Sequence, residues 1–304
     1  MEVIEADALV KDYGRVRALD GLTLRIPGGA VGLLGLNGAG KSTFLKILLG
    51  FVRPTSGRAR VLGLDPARRA LEIRQQIGTM PEFECFIPGL NAVDTVYLAA
   101  RLTGLPHTDA LQRTHMVLNY VGLHEERYRD VGSYSTGMKQ KVKFAQAIVH
   151  HPRLLLLDEP TTGLDPRARQ EMLDLIRDIA RAHGIHVLLS THLLHDVEAI
   201  CDRVVILHRG RLVANDEIGR LLAGEGDAYE VRVKGDREGF VRALSRRGLE
   251  ARPAGDEEDG FRVPAVSGTR PILEAAAEAG VQLRRLERAR ARLEERFAEL
   301  VGGA

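Results

Sequence analysis

A glycine-rich segment, GLNGAGKS, occupies residues 35–42 and has the spacing G-x-x-x-x-G-K-[ST]. Glycines at these places let backbone N–H groups turn toward an anion, and Lys41 can reach the outer phosphates of a nucleotide. The hydroxyl of Ser42 is an oxygen ligand of the kind that Mg²⁺ prefers. We call residues 35–42 the phosphate loop, because this combination predicts a site for a nucleotide and its metal ion.

Two acidic residues follow a run of four leucines at residues 154–157. A continuous apolar run of this length predicts a strand that is buried on both faces, as in a parallel sheet. Ligands of such sheets bind at the carboxyl ends of the strands. We therefore predict that Asp158 holds Mg²⁺, directly or through water, and that Glu159 lies beside the γ-phosphate.

Three further segments complete an ordered set of motifs. They are YSTGMKQ at residues 134–140, PTTGLDP at residues 160–166 and STH at residues 190–192. Together with the phosphate loop and the acidic pair, they resemble ATP-binding cassette (ABC) proteins over residues 1–220. In that resemblance residues 134–140 correspond to the signature segment, residues 160–166 to the D-loop segment, and His192 to the switch histidine.

The resemblance implies a fold, a mechanism and a set of site residues. The fold is α/β, a P-loop nucleotide hydrolase core with a helical insertion at about residues 88–151. ATP and Mg²⁺ would bind between two cassettes packed head to tail, and the signature of one cassette would reach the γ-phosphate held by the other. The expected catalytic residues are Glu159 and His192, and the expected metal ligands are Ser42, Glu82 and Asp158. The expected nucleotide contacts are Tyr13 (stacked on adenine), Gly35, Asn37, Gly38, Gly40, Lys41, Ser42, Thr43, Glu82, Ser135, Thr136, Gly137 and Asp165.

Two positions depart from the usual pattern of the family. Glu82 stands where a glutamine is usual in the loop that joins the core to the helical insertion. Its carboxylate can still offer an oxygen to Mg²⁺, but it brings a negative charge close to ATP. The signature reads Ser-Thr-Gly in place of the commoner Ser-Gly-Gly. With the Pro-Glu loop and the C-terminal extension, this pattern is similar to cassettes of the type-2 bacterial exporter branch.

Hydrophobic periodicity supplies the elements that would position these residues. Residues 31–35, 154–157, 186–190 and 204–207 read as buried strands, alternating with helices, so a mainly parallel sheet is expected over residues 1–220. Residues 88–151 show helical spacing without strand signals. LLAGEGD at residues 221–227 predicts a boundary, and residues 227–304 alternate between strand and helix patterns. We predict a small α+β accessory domain there, with an acidic turn at residues 255–260.

Composition restricts the partners and the compartment. The net charge is +2, whereas a nucleic-acid binder is usually strongly basic, so no nucleic-acid partner is expected. No apolar run approaches the ~18 residues of a membrane span, and the N-terminus does not resemble a signal peptide. The two cysteines, Cys85 and Cys201, form no CxxC pattern, which argues against a zinc site or a disulfide framework. The expected location is cytoplasmic, peripheral at the inner face of the cell membrane.

Three functions are compatible with a chain that carries these motifs. The favoured one is the ATP-hydrolysing subunit of an ABC exporter, acting as a homodimer or with a paralogous cassette on an integral membrane transporter subunit. A soluble ABC ATPase acting on ribosomes or DNA would usually carry two cassettes or a long coiled coil. A binding protein that has lost hydrolysis is disfavoured, because Lys41, Asp158, Glu159 and His192 are all intact. Residues 82–87, which we call the dock loop, are predicted to contact the membrane subunit.

Overall fold

The computed structural model describes residues 2–84, 86–223, 228–253, 260–264, 268–288 and 293–302. The chain divides into two compact units, one comprising Met1–Ile218 with Phe297–Ala304 and the other Gly219–Arg296. Each unit has its own sheet system and its own hydrophobic core. Within the described residues, no helix is both long enough and apolar enough to cross a membrane.

The secondary structure alternates strands and helices through most of the chain. The strands are β1 (Glu2–Asp12), β2 (Arg17–Pro27), β3 (Ala30–Leu34), β4 (Ser56–Val61), β5 (Ile77–Met80), β6 (Leu154–Asp158), β7 (His186–Thr191), β8 (Arg203–His208), β9 (Arg211–Glu217), β10 (Ala228–Lys234), β11 (Arg252–Pro253), β12 (Gly260–Pro264) and β13 (Gln282–Arg288). The helices are α1 (Lys41–Leu48), α2 (Ala70–Gln76), α3 (Ala92–Leu102), α4 (His107–Tyr120), α5 (Thr136–Ile148), α6 (Pro166–Arg181), α7 (Leu194–Ile200), α8 (Ile218–Ala223), α9 (Arg237–Ser245), α10 (Arg270–Glu278) and α11 (Leu293–Gly302).

A six-stranded sheet forms the centre of the first unit, with strand order β5-β6-β7-β3-β8-β9. The first five strands are parallel and only β9 is antiparallel to its neighbour. Every residue of β3 is buried, and β6 is buried up to Leu157. Both strands are covered on two faces, which is why their sequences are continuous apolar runs. Their carboxyl ends carry the phosphate loop and the acidic pair to the same edge of the sheet.

The expectation of a mainly parallel sheet throughout residues 1–220 was incomplete. Strands β1, β2 and β4 form a separate antiparallel sheet in the order β2-β1-β4. In β2 the buried Leu22, Leu24 and Ile26 alternate with exposed residues, which is the pattern of a sheet with one face on the core. The N-terminal residues therefore form an antiparallel pair of strands rather than a strand followed by a helix.

The helical insertion lies between β5 and β6, as expected. Its helices α3, α4 and α5 begin at recognisable sequence signals: the Asn91 side chain accepts from the backbone N–H of Asp94 at 2.9 Å, and Ser135 starts α5 in the same way. Buried residues such as Val96 and Leu118 pack these helices together. The insertion thereby presents the signature segment at the first turn of α5.

The second unit has the chain order β-α-β-β-α-β and the strand order β11-β12-β10-β13, with all neighbouring strands antiparallel. This is the ferredoxin-like arrangement. Its core joins Val231 and Val263 of the sheet to Phe240, Leu244 and Ile272 of the helices. The predicted acidic turn at residues 255–259, the arginines at 290 and 292, and Cys85 lie outside the described residues.

Candidate active site

The phosphate loop connects β3 to α1. Gly40 precedes α1 with φ of 102°, a left-handed conformation that favours glycine, and a Cβ atom there would lie 2.5 Å from the carbonyl oxygen of Ala18. Gly38 also has a positive φ of 81°. No side chain caps the N-terminus of α1. The N–H groups of its first turn therefore remain available for an anion, in the favourable field of the helix dipole.

Lys41 is the buried cation of the site. Its ammonium group donates a hydrogen bond to the carbonyl oxygen of Gly35, so the side chain lies along the loop. Burial lowers the pKa of Lys41, and the nearby carboxylates of Glu159, Asp158 and Glu82 oppose that shift. Three carboxylates around one ammonium group leave the site with an excess of negative charge, which suits a metal ion.

The residues present fit Mg²⁺. The hydroxyl of Ser42 lies 3.4 Å from Oδ2 of Asp158, while Ser190 donates to Oδ1 of Asp158 at 2.7 Å. Burial raises the pKa of Asp158, partly offset by the hydrogen bond from Ser190. The described residues contain no group of three His, Cys, Asp or Glu side chains placed to hold a metal. An ion between Ser42 and Asp158 would complete its shell with water and phosphate oxygens, as Mg²⁺ commonly does.

Glu159 is held in place by several hydrogen bonds. Its Oε1 accepts from the backbone N–H of His192 at 3.1 Å and lies 2.9 Å from the ring Nδ1 of His192. Its Oε2 accepts from the hydroxyls of Thr162 and Thr191 at 3.1 and 3.2 Å. The backbone of Glu159 has a φ of 51°, a left-handed conformation that costs about 1–3 kcal/mol in a non-glycine residue. Such strain is typical of functional positions.

These groups surround a cleft of about 430 Å³. The expected site residues that line the cleft are Tyr13, Asn37, Gly38, Gly40, Lys41, Ser42, Thr43, Glu82, Asp158, Glu159 and His192. Gly35 contributes its carbonyl oxygen to Lys41 without lining the cleft. Leu36 of the phosphate loop and Thr162 of the D-loop segment also line it, as do Val16 and Ala18, which were not expected there. Val16 comes only three residues after Tyr13, and this closeness in the sequence was the available signal for its place in the site. The backbone N–H of Tyr13 donates to the carbonyl oxygen of Val16 at 2.9 Å, so the two residues share a turn.

The expected contacts from the signature and D-loop segments do not line this cleft: Ser135, Thr136, Gly137 and Asp165 are absent from its lining, and only Thr162 of these segments reaches it. Ser135 caps α5 by accepting from the backbone N–H of Met138 at 3.3 Å, and Asp165 caps α6 by accepting from two backbone N–H groups. A Cβ atom on Gly137 would lie 3.2 Å from Cβ of Ala168, so the two helix starts are in contact. Ser135 and Thr136 are exposed. One chain therefore carries two separate groups of expected nucleotide contacts.

Known proteins resemble this chain along almost its whole length. The bacitracin transport ATP-binding protein BcrA of Bacillus licheniformis is 32% identical over 304 residues, covering 99% of this chain and 98% of that protein. The chain belongs to the ABC transporter family. Residues 19–162 match the profile of that family, which is described as ABC transporter. The daunorubicin resistance ATP-binding protein DrrA2 of Streptomyces coeruleorubidus is 35% identical over 98% of this chain and 95% of its own length.

Solved structures agree with this family assignment. A structure described as the ATP binding subunit of an ABC transporter matches with a TM-score of 0.65 and 33% identity. The match covers 72% of this ABC protein and 91% of that chain. An ADP- and phosphate-bound dimeric cassette has the same fold, at 23% identity and a TM-score of 0.65. The protein is an ABC ATPase with a P-loop core.

Proposed function

We propose that this protein is the ATP-hydrolysing subunit of an ABC exporter, in which ATP and Mg²⁺ bind between two cassettes packed head to tail. The observation that carries the proposal is the separation of the cleft from the exposed signature residues Ser135 and Thr136. A second chain, turned head to tail, would bring its signature to the open side of the cleft. Relatives named for bacitracin transport and daunorubicin resistance support export as the process that hydrolysis drives.

Each cleft residue has a chemical task in this proposal. The phosphate loop and Lys41 bind the outer phosphates, and Ser42 with Asp158 would hold Mg²⁺, which supplies charge neutralisation at the β- and γ-phosphates. Glu159 positions the attacking water and accepts its proton, and His192 contacts the γ-phosphate. The partner's signature completes the set with the positive end of its α5. Glu82 is an additional oxygen ligand at the edge of the cleft.

A site shared between two chains predicts complementation between two inactive variants. Lys41→Met removes the phosphate-binding cation, while Ser135→Asp keeps a good helix cap but places a negative charge against the phosphate. Each variant alone should be inactive. Mixed in equal amounts, they should recover about a quarter of the ATPase activity, because half of the random dimers carry one intact site out of two.

The control for this experiment is the double variant, Lys41→Met with Ser135→Asp in one chain. Mixed with either single variant, it cannot form an intact site and should stay inactive. If the two single variants show no more activity together than apart, while both still fold, the shared site is wrong. Activity retained by Ser135→Asp alone would equally remove the signature from the site.

Tyr13 is proposed to stack on adenine. Its side chain is 52% exposed and lines the cleft, and the ammonium of Lys11 lies 4.8 Å from its ring centroid. A base–aromatic stack is worth about 1–3 kcal/mol, so Tyr13→Ala should weaken ATP binding by about 5- to 150-fold. Tyr13→Phe and Tyr13→Trp should bind ATP with near-normal affinity. Because the chain has no tryptophan, ATP should also quench the fluorescence of Tyr13→Trp, and unchanged affinity in Tyr13→Ala would contradict the stack.

An integral membrane subunit is the proposed partner, and the dock loop is its proposed contact. Phe83 is 77% exposed and Ile87 is 52% exposed, so these apolar side chains are not core residues. Glu84 of the same loop forms an ion pair with Lys139 of α5 at 2.9 Å. The dock loop thus joins the edge of the cleft at Glu82 to the signature helix. A partner bound there could sense and transmit changes at the nucleotide.

A photo-crosslinking residue placed at position 86 tests this contact. In membranes that contain the complete transporter, it should capture the membrane subunit in high yield. The same crosslinker at Met116, an exposed position on α4, should capture it much less. Capture of intramolecular neighbours alone from position 86 would remove the dock loop from the interface. The proposed location, the cytoplasmic side of the cell membrane, follows from this partner.

The second unit, Gly219–Arg296, is proposed to be an accessory domain, while Phe297–Ala304, which we expected to belong to it, groups with the first unit. Its described residues contain no phosphate loop and no metal-binding cluster. Its ferredoxin-like sheet and helices enclose a separate core. We assign it a role in tuning activity or assembly, and residues 1–220 carry the chemistry.

A further inference from the structure

A buried carboxylate outside the cleft joins three parts of the active site. Asp196 on α7 is fully buried. Its Oδ1 accepts from Nε of Arg169 at 2.9 Å and lies 2.7 Å from a terminal nitrogen of the same guanidinium. Its Oδ2 accepts from the hydroxyl of Thr161, which is itself buried. The ring of His195 lies 3.8 Å from Oδ1, at the exposed end of the cluster.

The positions of these partners along the chain connect the cluster to catalysis. Thr161 comes two residues after Glu159, in the segment that leaves β6. Asp196 comes four residues after His192, in the first turn of α7, which follows β7. The hydrogen bond between Thr161 and Asp196 therefore spans the two segments whose first residues are Glu159 and His192. Glu159 and His192 are themselves in contact at 2.9 Å.

The third partner extends the connection to the D-loop segment. Arg169 lies on the first turns of α6, one turn after its capping residue Asp165. Asp165 belongs to the surface that contacts the signature helix through Gly137 and Ala168. Asp196 is therefore bonded both to the segment that holds Glu159 and to the helix that packs against the signature.

Charge burial explains why this arrangement should be rigid. A carboxylate with no solvent contact is stable only when it is paired and hydrogen-bonded, so both of its oxygens must keep their partners. The side chain of Arg169 is 23% exposed, so the guanidinium is also shielded from water. A displacement of either loop would break a hydrogen bond that water cannot replace. Small movements of Glu159 relative to His192 are therefore resisted.

We propose that Asp196 is a positioning residue for hydrolysis, which sets Glu159 against His192 and couples both to the D-loop helix through Thr161 and Arg169. Asp196 is fully buried and is not among the residues that line the cleft. The inference rests on the proposed role of Glu159 as the base. Misplacement of a catalytic group by about 1 Å can cost on the order of 10²-fold in rate, so the effect should appear in kcat. ATP binding uses Tyr13 and the phosphate loop, which the cluster does not contact.

The sharpest test compares two substitutions at Thr161. Thr161→Val keeps the shape and removes the hydroxyl, whereas Thr161→Ser keeps the hydroxyl. Thr161→Val should lower kcat about 10- to 100-fold with the KM for ATP changed by less than about threefold, and Thr161→Ser should retain most of the activity. Ile73→Val, which removes one buried methyl group from α2, controls for a loss of thermal stability without a loss of kcat.

A second variant examines the carboxylate itself. Asp196→Asn should reproduce the kcat effect, and the double variant with Thr161→Val should be little slower than the worse single variant, because both remove the same connection. If Asp196→Asn does not fold, the Thr161 pair still decides the question. Normal kcat in folded Thr161→Val, or equal losses in Thr161→Val and Thr161→Ser, would overturn the inference.

The same assays separate this inference from the proposed function. Glu159→Gln is measured alongside the Thr161 variants. Slow turnover in Glu159→Gln with normal turnover in Thr161→Val would overturn the positioning role alone. Normal turnover in Glu159→Gln would instead overturn the role of Glu159 as the base. The positioning role of Asp196 depends on that role and would be overturned as well.

Discussion

Glu159→Gln should bind ATP, accumulate as an ATP-bound dimer and hydrolyse ATP about 10²- to 10⁴-fold more slowly than the parent protein. Phosphoryl transfer depends mainly on positioning and on charge stabilisation, and in the proposed site Lys41, Mg²⁺ and the partner's signature would supply the charge. The remaining requirement is an acceptor beside the water in line with the γ-phosphate. Glu159 directly follows Asp158, the proposed metal ligand, and lines the cleft.

Glu159→Gln changes the charge without changing the shape of the side chain, because glutamine and glutamate have nearly the same size. The hydroxyls of Thr162 and Thr191 and the N–H of His192 can still bond to its amide oxygen in part. The fold and the nucleotide contacts should therefore persist while the base is lost. Size-exclusion chromatography with ATP and Mg²⁺ reports the dimer, and phosphate release reports turnover, measured with the membrane subunit present.

Glu82→Gln is the matched control, because Glu82 is the other glutamate that lines the cleft. Glutamine still presents an oxygen at this exposed position, where the family usually has glutamine, so this neutral variant should keep turnover within a few-fold of the parent value. Near-normal turnover by Glu159→Gln would move the catalytic role elsewhere, with His192 as the next candidate. A large loss in Glu82→Gln alone would assign the role to the dock loop.

Asp158→Asn should behave differently and lose Mg²⁺-dependent ATP binding. Replacing a carboxylate that would hold the metal, directly or through water, should weaken the metal-dependent part of binding by about 10- to 100-fold or more, since even residues that act on a metal indirectly matter by that much. The amide oxygen can still accept the hydrogen bond from Ser190, so the strand end should keep its geometry. Binding of ATP without Mg²⁺ should change little, because the phosphate loop and Lys41 remain.

The pH dependence of this binding supplies an independent check. Burial raises the pKa of Asp158, so a proton competes with Mg²⁺ at a higher pH than it would at an ordinary aspartate. In the metal-free protein the raised pKa favours the fold below the unfolded pKa, and this contribution is lost as the pH rises through the folded pKa. The Mg²⁺ affinity of the parent protein should fall as the pH is lowered. The Mg²⁺ affinity of Asp158→Asn should be low and should not change with pH.

Calorimetric titration of ATP, with and without Mg²⁺ and at several pH values, measures both the Mg²⁺ dependence of ATP binding and its change with pH. Ser190→Ala is a suitable comparison, because it removes a hydrogen bond to Asp158 but leaves the carboxylate. It should weaken Mg²⁺-dependent binding by less than Asp158→Asn does. Equal Mg²⁺ dependence in Asp158→Asn and in the parent protein would exclude Asp158 as a metal ligand.

Much of the core and of the cleft could be predicted from short segments of sequence. The phosphate loop needs glycines and a lysine at fixed places, so Gly40 and Lys41 identify it without any knowledge of the tertiary fold. The leucine run before Asp158 predicts a buried parallel strand. The antiparallel strands β1 and β2 were missed because buried and exposed residues do not alternate regularly in β1, and because the sheet includes β4, which comes much later in the chain.

Local sequence determined the chemistry of this protein: which residues bind phosphate, which acids follow the buried strand, and which residues start the helices α5 and α6. It could not determine which of these groups meet within one chain. Only the tertiary structure places Ser135 away from the cleft. It also brings Thr161 and Arg169 to the buried carboxylate of Asp196. The reason is that backbone conformation and caps depend on neighbours a few residues apart. Contacts among α6, α7 and the end of β6 depend instead on how the strands and helices pack around the shared core.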